Sequence, residues 1–194
     1  MSTSPQIASV GEEFPDELPE HHELICGRLV RKALASNEHG LVQQRLGFFL
    51  MPFDGRKSTP GGWWTSLCPG IVLTPHLRQS DPDSHWYEPD VAAWKIAVVP
   101  ERPRGARIQV WPQWVCEVLS RSTADRDKGV KLDTYHRAHL DHYWLVDPEK
   151  QTLTVLAWAE DGYQTILTAD PGNRVRAEPF AERELDLDWL FEFE

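Results

Sequence analysis

Trp114-Val115-Cys116-Glu117-Val118-Leu119 is apolar at every position but one. A run of this length and make-up reads as a β-strand covered on both faces. Such a strand needs a layer of structure on either side, so it predicts a mixed α/β or α+β sandwich around a central sheet. Glu117 is the exception in the run. A buried carboxylate has to be ion-paired, hydrogen-bonded or bound to a metal, because burying it alone is too costly. By alternation Glu117 shares a face with Val115 and Leu119. Its plainer reading is a strand-end glutamate in one ion pair.

Working downstream, Ser122 and Asp125 resemble a capping box and predict a helix running to about His139. On that helix Lys128, Lys131, Leu132, Tyr135 and Ala138 fall on one side. Tyr143 to Val146 predicts a strand, Asp147-Pro148 a turn, and Thr152 to Ala157 the returning strand of a hairpin. Tyr163 to Leu167 is a further strand, and Asp186 to Phe191 a short closing helix.

Working upstream, Pro100 to Pro112 is a long connection carrying Arg102, Arg104 and Arg107. Asp90 follows Pro89 and opens a strand to Trp94. Gln79 to Ser84 reads as a polar turn. Pro60 to Trp64 reads as a Gly/Trp-rich loop leading to a strand at Ile71 to Leu73. Leu41, Val42, Leu46, Phe49 and Leu50 give Glu38 to Phe53 a helical period, with Asn37 as its N-cap. Glu23 to Leu34 predicts two short strands around Gly27. Residues 1–20 read as a flexible arm and 21–194 as one domain.

Composition narrows the classes. The 194 residues are 41% hydrophobic and 26% charged, which suits one soluble domain with its own core. Nine tryptophans place large rings in the core or in a groove. Three dispersed cysteines, without a CxxC pair, argue against a disulfide framework or zinc knuckle and for a reducing, cytoplasmic setting. Met1 to Val10 lacks the features of a signal peptide, and no stretch reads as a membrane span. The formal net charge of −10 argues against a protein that simply coats nucleic acid. It leaves room for an enzyme that gathers carboxylates around a cation.

Three residues form a candidate constellation. Asp90 and Glu117 on neighbouring strands would converge on one hard cation, with the Val118 carbonyl as a third oxygen ligand. Taken alone, Asp90 also reads as a turn aspartate. Lys131 lies at the inward edge of its helix and could carry its ammonium to the same place, although a snorkelling lysine gives the same pattern. His136, His139 and His142 offer no convincing tetrahedral zinc set. The arginine loop, and Trp63 and Trp64, are candidates for contact with phosphates and bases; a solvated loop and core packing are the alternatives.

The run Glu88-Pro89-Asp90-Val91, the Trp114 to Thr123 segment, Lys131-Leu132-Asp133-Thr134-Tyr135, and Tyr143 to Pro148 together resemble the Uma-two family of restriction-endonuclease-like proteins. The resemblance extends from about Glu23 to the C-terminal Leu-Asp-Leu segment. It implies the PD-(D/E)XK nuclease fold and a Mg²⁺- or Mn²⁺-dependent phosphodiester hydrolase, with DNA the expected substrate and a homodimer its possible form. Asp90 and Glu117 would be the metal-binding acids. Leu119 stands where the ExK lysine would be, so Lys131 resembles a lysine migrated to the next helix, with Tyr135 packed behind it. Glu23, in Glu-Leu-Ile-Cys-Gly, resembles a fourth acidic member; a surface strand-end glutamate is its alternative. His139 to His142 replaces the family's usual turn. A non-catalytic binding module on the same fold is the competing expectation.

Overall fold

A computed structural model of the chain describes residues 17–32, 34–58, 60–73, 84–120 and 124–193. Most of the expected N-terminal arm, most of the polar turn before Ser84, and Ser122 lie outside these residues.

The Trp114 run is the centre of the molecule. Strand β7 (Trp114–Val118) is buried along its whole length. Before it come β1 (His22–Ile25), β2 (Arg28–Arg31), α1 (Asn37–Leu50), β3 (Trp63–Leu67), β4 (Ile71–Val72), β5 (Trp86–Tyr87) and β6 (Val91–Lys95). After it come α2 (Ala124–Asp127), α3 (Val130–Arg137), β8 (His142–Asp147), β9 (Thr152–Ala157), β10 (Gln164–Ala169), β11 (Arg174–Val175), β12 (Leu185–Asp186) and α4 (Leu187–Leu190).

Six strands make the main sheet in the order β10-β9-β8-β7-β6-β3. Only β7 and β8 run parallel, and α2 and α3 form the crossover between them. β8, β9 and β10 form an antiparallel meander. A smaller sheet, β2-β1-β5-β4, lies beside this frame. The expected mixed sheet with helices and added hairpins is what the chain forms.

Alternation along β7 divides the core. Trp114, Cys116 and Val118 join the cluster of Val42, Leu46, Phe49 and Leu50 from α1. Val115 and Leu119 join Tyr135 from α3, together with Ala92, Trp94, Tyr143 and Leu145. The rings of Trp114 and Trp144 meet edge-to-face at 5.2 Å and both contact Phe180, so much of the tryptophan content is core.

Three sequence expectations need correction. Ser36, not Asn37, caps α1: its extended backbone lets Oγ accept the His39 N–H at 3.2 Å, and Asn37 is already helical. Trp63 and Trp64 lie in strand β3 rather than in a loop, paired with Lys95 and Trp94 of β6. The single helix expected up to His139 is two, broken at Lys128 and Gly129. A Cβ on Gly129 would stand 2.7 Å from the Asp125 carbonyl oxygen, so the close approach of the two helices needs glycine. The break changes the helical phase. Lys128 turns to solvent, whereas Asp127 is buried.

Candidate functional site

The site forms where β6 and β7 part. Their pairing runs from Ala93↔Trp114 to Val91↔Cys116 and then stops. Asp90 lies one residue beyond β6, and its Oδ2 accepts the Val118 N–H at 2.7 Å. The carboxylate thus takes the hydrogen bond that a continued β6 would have supplied. Asp90 and Glu117 line one cavity of about 290 Å³, together with Val118, Lys131, Asp127, His39 and Arg126.

Lys131 is 2% exposed and stands among carboxylates. Its Nζ lies 2.8 Å from Glu117 Oε1, 2.9 Å from Glu23 Oε1 and 3.5 Å from Asp127 Oδ1. The face of Tyr87 lies 5.3 Å below it. Burial by itself would lower the Lys131 pKa, but Glu117, Glu23 and Asp127 outweigh it and hold the pKa well above its ordinary value. The group is an ammonium and a donor, not a base. Glu117 shows the opposite balance. Burial, then repulsion from Asp127, Asp90 and Glu23, pushes its pKa up to about 8 against the pull of Lys131. Burial also acts to raise Glu23, yet Lys131 and Lys32 leave it lowered. One ammonium shared by these acids leaves the cluster short of positive charge.

Glu23 is fully buried, which rules out its reading as a surface glutamate. Its Oε1 also accepts the Glu88 N–H at 2.9 Å, and its Oε2 lies 3.7 Å from Arg126. Tyr135 stands one turn after Lys131 on α3. Its hydroxyl reaches Glu117 Oε1 at 3.3 Å, and Tyr87 holds the place under the ammonium.

The donors fit a hard cation. Asp90 and Glu117 offer oxygen ligands in a cavity with surplus negative charge. Among the described residues no three His, Cys, Asp or Glu side chains form a ready-made metal cage. A cation here would therefore rely on two carboxylates completed by backbone and water oxygens, which is the manner of Mg²⁺.

The remaining sequence candidates lie elsewhere. Trp63 is core, its ring 5.0 Å from Phe180. Trp64 donates to the Val99 carbonyl at 3.1 Å and lies 4.6 Å beneath Arg102. Arg102 binds Asp54 at 2.6 Å and donates to the Thr65 carbonyl at 3.3 Å, so it fastens its loop to β3. Neither tryptophan, nor Arg102, Arg104 or Arg107, lines the cavity. The two tryptophans sit away from the acids because β3 pairs its Trp63 end with the far end of β6. His136 binds the Ala159 carbonyl and stacks on Trp158, which also packs His139. All three cysteines are free, Cys68 on the cavity wall and Cys116 in the core.

The model of the family described as "Uma2: Putative restriction endonuclease" matches residues 11–189. The chain belongs to the Uma2 family. A crystal structure described as a putative nuclease from Anabaena variabilis ATCC 29413 superposes with a TM-score of 0.68. The two share 20% identity over 90% of this chain and 93% of the other, so that likeness shows the fold. No curated protein matched the chain. The resemblance drawn from the sequence motifs is borne out, and nuclease chemistry is what membership in Uma2 supports. No helix among the described residues is long and apolar enough to cross a membrane.

Sequence reasoning missed Asp127, His39 and Gln43. Asp127 stands four residues before Lys131, an ion-pair spacing visible in the sequence. His39 and Gln43 are also four apart, beside the apolar stripe of α1. Both pairs carry a signal that reads equally well as a solvated helix face.

Proposed function

We propose that this cavity hydrolyses phosphodiester bonds of nucleic acid, DNA foremost, with Mg²⁺ or Mn²⁺ held by Asp90, Glu117 and the Val118 carbonyl. The observation that carries the reading is the meeting of Asp90, Glu117 and Lys131 in one cavity although they come from three separate elements. A bound divalent cation supplies Lewis acidity at the phosphate and a water of lowered pKa. The chain's own residues do the rest. Lys131, held as an ammonium, donates to a phosphate oxygen and offsets the charge that develops there. Glu23 and Asp127 hold Lys131 in place, and Tyr135 holds Glu117. Arg126 at the cavity wall pairs with Glu23 and so supports the acid that holds Lys131.

A second reading keeps the fold as a binding module without catalysis. It draws on the net charge of −10 and on the confinement of Lys131 among three acids.

The test is plasmid cleavage with Mg²⁺ or Mn²⁺, beside Glu117→Ala. Cleavage by the wild type that falls at least about 100-fold in the variant supports the reading. Equal cleavage by both, or a wild type that binds no divalent cation, refutes it.

A further inference from the structure

We propose that His39 and Gln43 of α1 form a positioning pair that fixes the Asp90 carboxylate for cation binding. The inference rests on the reading of Asp90 as a metal ligand.

α1 buries Val42, Leu46, Phe49 and Leu50 against the sheet. His39 and Gln43, one turn apart, both reach the same residue. His39 Nε2 lies 3.0 Å from Asp90 Oδ1. Gln43 Nε2 donates to the Asp90 main-chain oxygen at 2.9 Å. The Val118 N–H holds Oδ2 from β7. Asp90 is therefore gripped at both carboxylate oxygens and at its backbone, by a helix on one side and a strand on the other.

The imidazole is set for that one bond. An ionised carboxylate only accepts hydrogen bonds, so Nε2 carries the hydrogen of this bond. Nδ1 is buried and has no hydrogen-bond partner among the described residues. A buried unpaired nitrogen is a cost that an apolar side chain would avoid. Packing alone does not call for histidine there; the bond to Asp90 does.

The arrangement leaves Asp90 able to bind metal. Each of its oxygens spends one lone pair on a protein donor and keeps another for the cavity. Hydrogen bonds of this kind orient a ligating carboxylate, and their removal typically weakens metal affinity about 10–100-fold.

The test is Mn²⁺ binding by the full chain, followed by calorimetry and by electron paramagnetic resonance of the free ion. Wild type, His39→Ala, His39→Gln and Asp90→Asn are compared, with circular dichroism as the check of folding. We expect Asp90→Asn to lose binding and His39→Ala to weaken it about 10–100-fold. His39→Gln, whose amide N–H can reach where Nε2 stands, should recover most of the loss. Recovery by a donor, and not by bulk, is what a merely structural role would not show. If His39→Ala fails to fold, the bulkier His39→Leu takes its place with the same expected loss. Wild-type affinity in a folded His39→Ala or His39→Leu, with Asp90→Asn inactive in binding, overturns the positioning role and leaves the metal reading standing. A wild type that binds no Mn²⁺ overturns both.

Discussion

Lys131 and Glu117 show how one residue's state is set by its neighbours. Glu23, Asp127 and Glu117 surround one buried ammonium, so removing the ammonium leaves buried acids without their counter-charge. Lys131→Met should cost roughly 3–5 kcal/mol in urea unfolding, the usual penalty for breaking a buried ion pair from one side. A loss under about 1 kcal/mol would mean that water reaches the acids and screens them. Glu117 gives a prediction in pH. Its folded pKa, about 8, is raised above the ordinary 4.5, so the native state holds a proton that the unfolded state has released. The associated stability is fully present below pH 4.5 and is lost as pH rises through about 8. With a chelator present, Glu117→Gln should therefore gain stability relative to wild type across that window. Melting curves that shift in parallel with pH would contradict the assignment.

At the scale of elements, two local features place the site. Gly129 admits the turn between α2 and α3, across which Asp127 and Lys131 stay paired. Gly129→Ala forces a Cβ against the Asp125 carbonyl and should destabilise by roughly 1–3 kcal/mol, the usual range for overpacking. Weaker Mn²⁺ binding should accompany the loss, since Lys131 would shift with α3. Denaturant unfolding and Mn²⁺ titration of the same sample check both. Ser36 closes the first turn of α1, the turn that carries His39. Ser36→Ala should cost about 1 kcal/mol. Hydrogen exchange should rise first at the start of α1, and uniform exchange along the helix would count against this local effect.

For the whole molecule, the net charge of −10 opposes the approach of a polyanion. Cations near the cavity, Lys32 and Arg126, are already engaged with Glu88 and Glu23. Duplex DNA should therefore bind weakly in EDTA and at least about tenfold more tightly with Ca²⁺, which fills an oxygen site. Fluorescence anisotropy of a labelled duplex measures this. Equal affinity in both conditions would show that phosphate contacts lie away from the acids.

The sequence by itself determined the strands and their period. β7, β8 and β9 are legible because apolar runs and a turn between them are local signals. Asp90 and Glu117 stood out because a carboxylate in such surroundings conflicts with burial, and the conflict is visible without a structure. Lys131 followed from helical spacing. The tertiary structure alone decided which polar residues face the cavity. Asp127 and Lys131 share a face by their spacing but meet Glu23 and Glu117 only across elements, and His39 and Gln43 matter only because α1 docks beside the end of β6. Trp63, for which the sequence left base contact and core packing both open, went to the core because β3 pairs antiparallel with β6 and carries it to the far end. A sequence records which face of an element is apolar. Which charges meet across elements depends on docking and register, and those are fixed by packing between residues far apart in the chain.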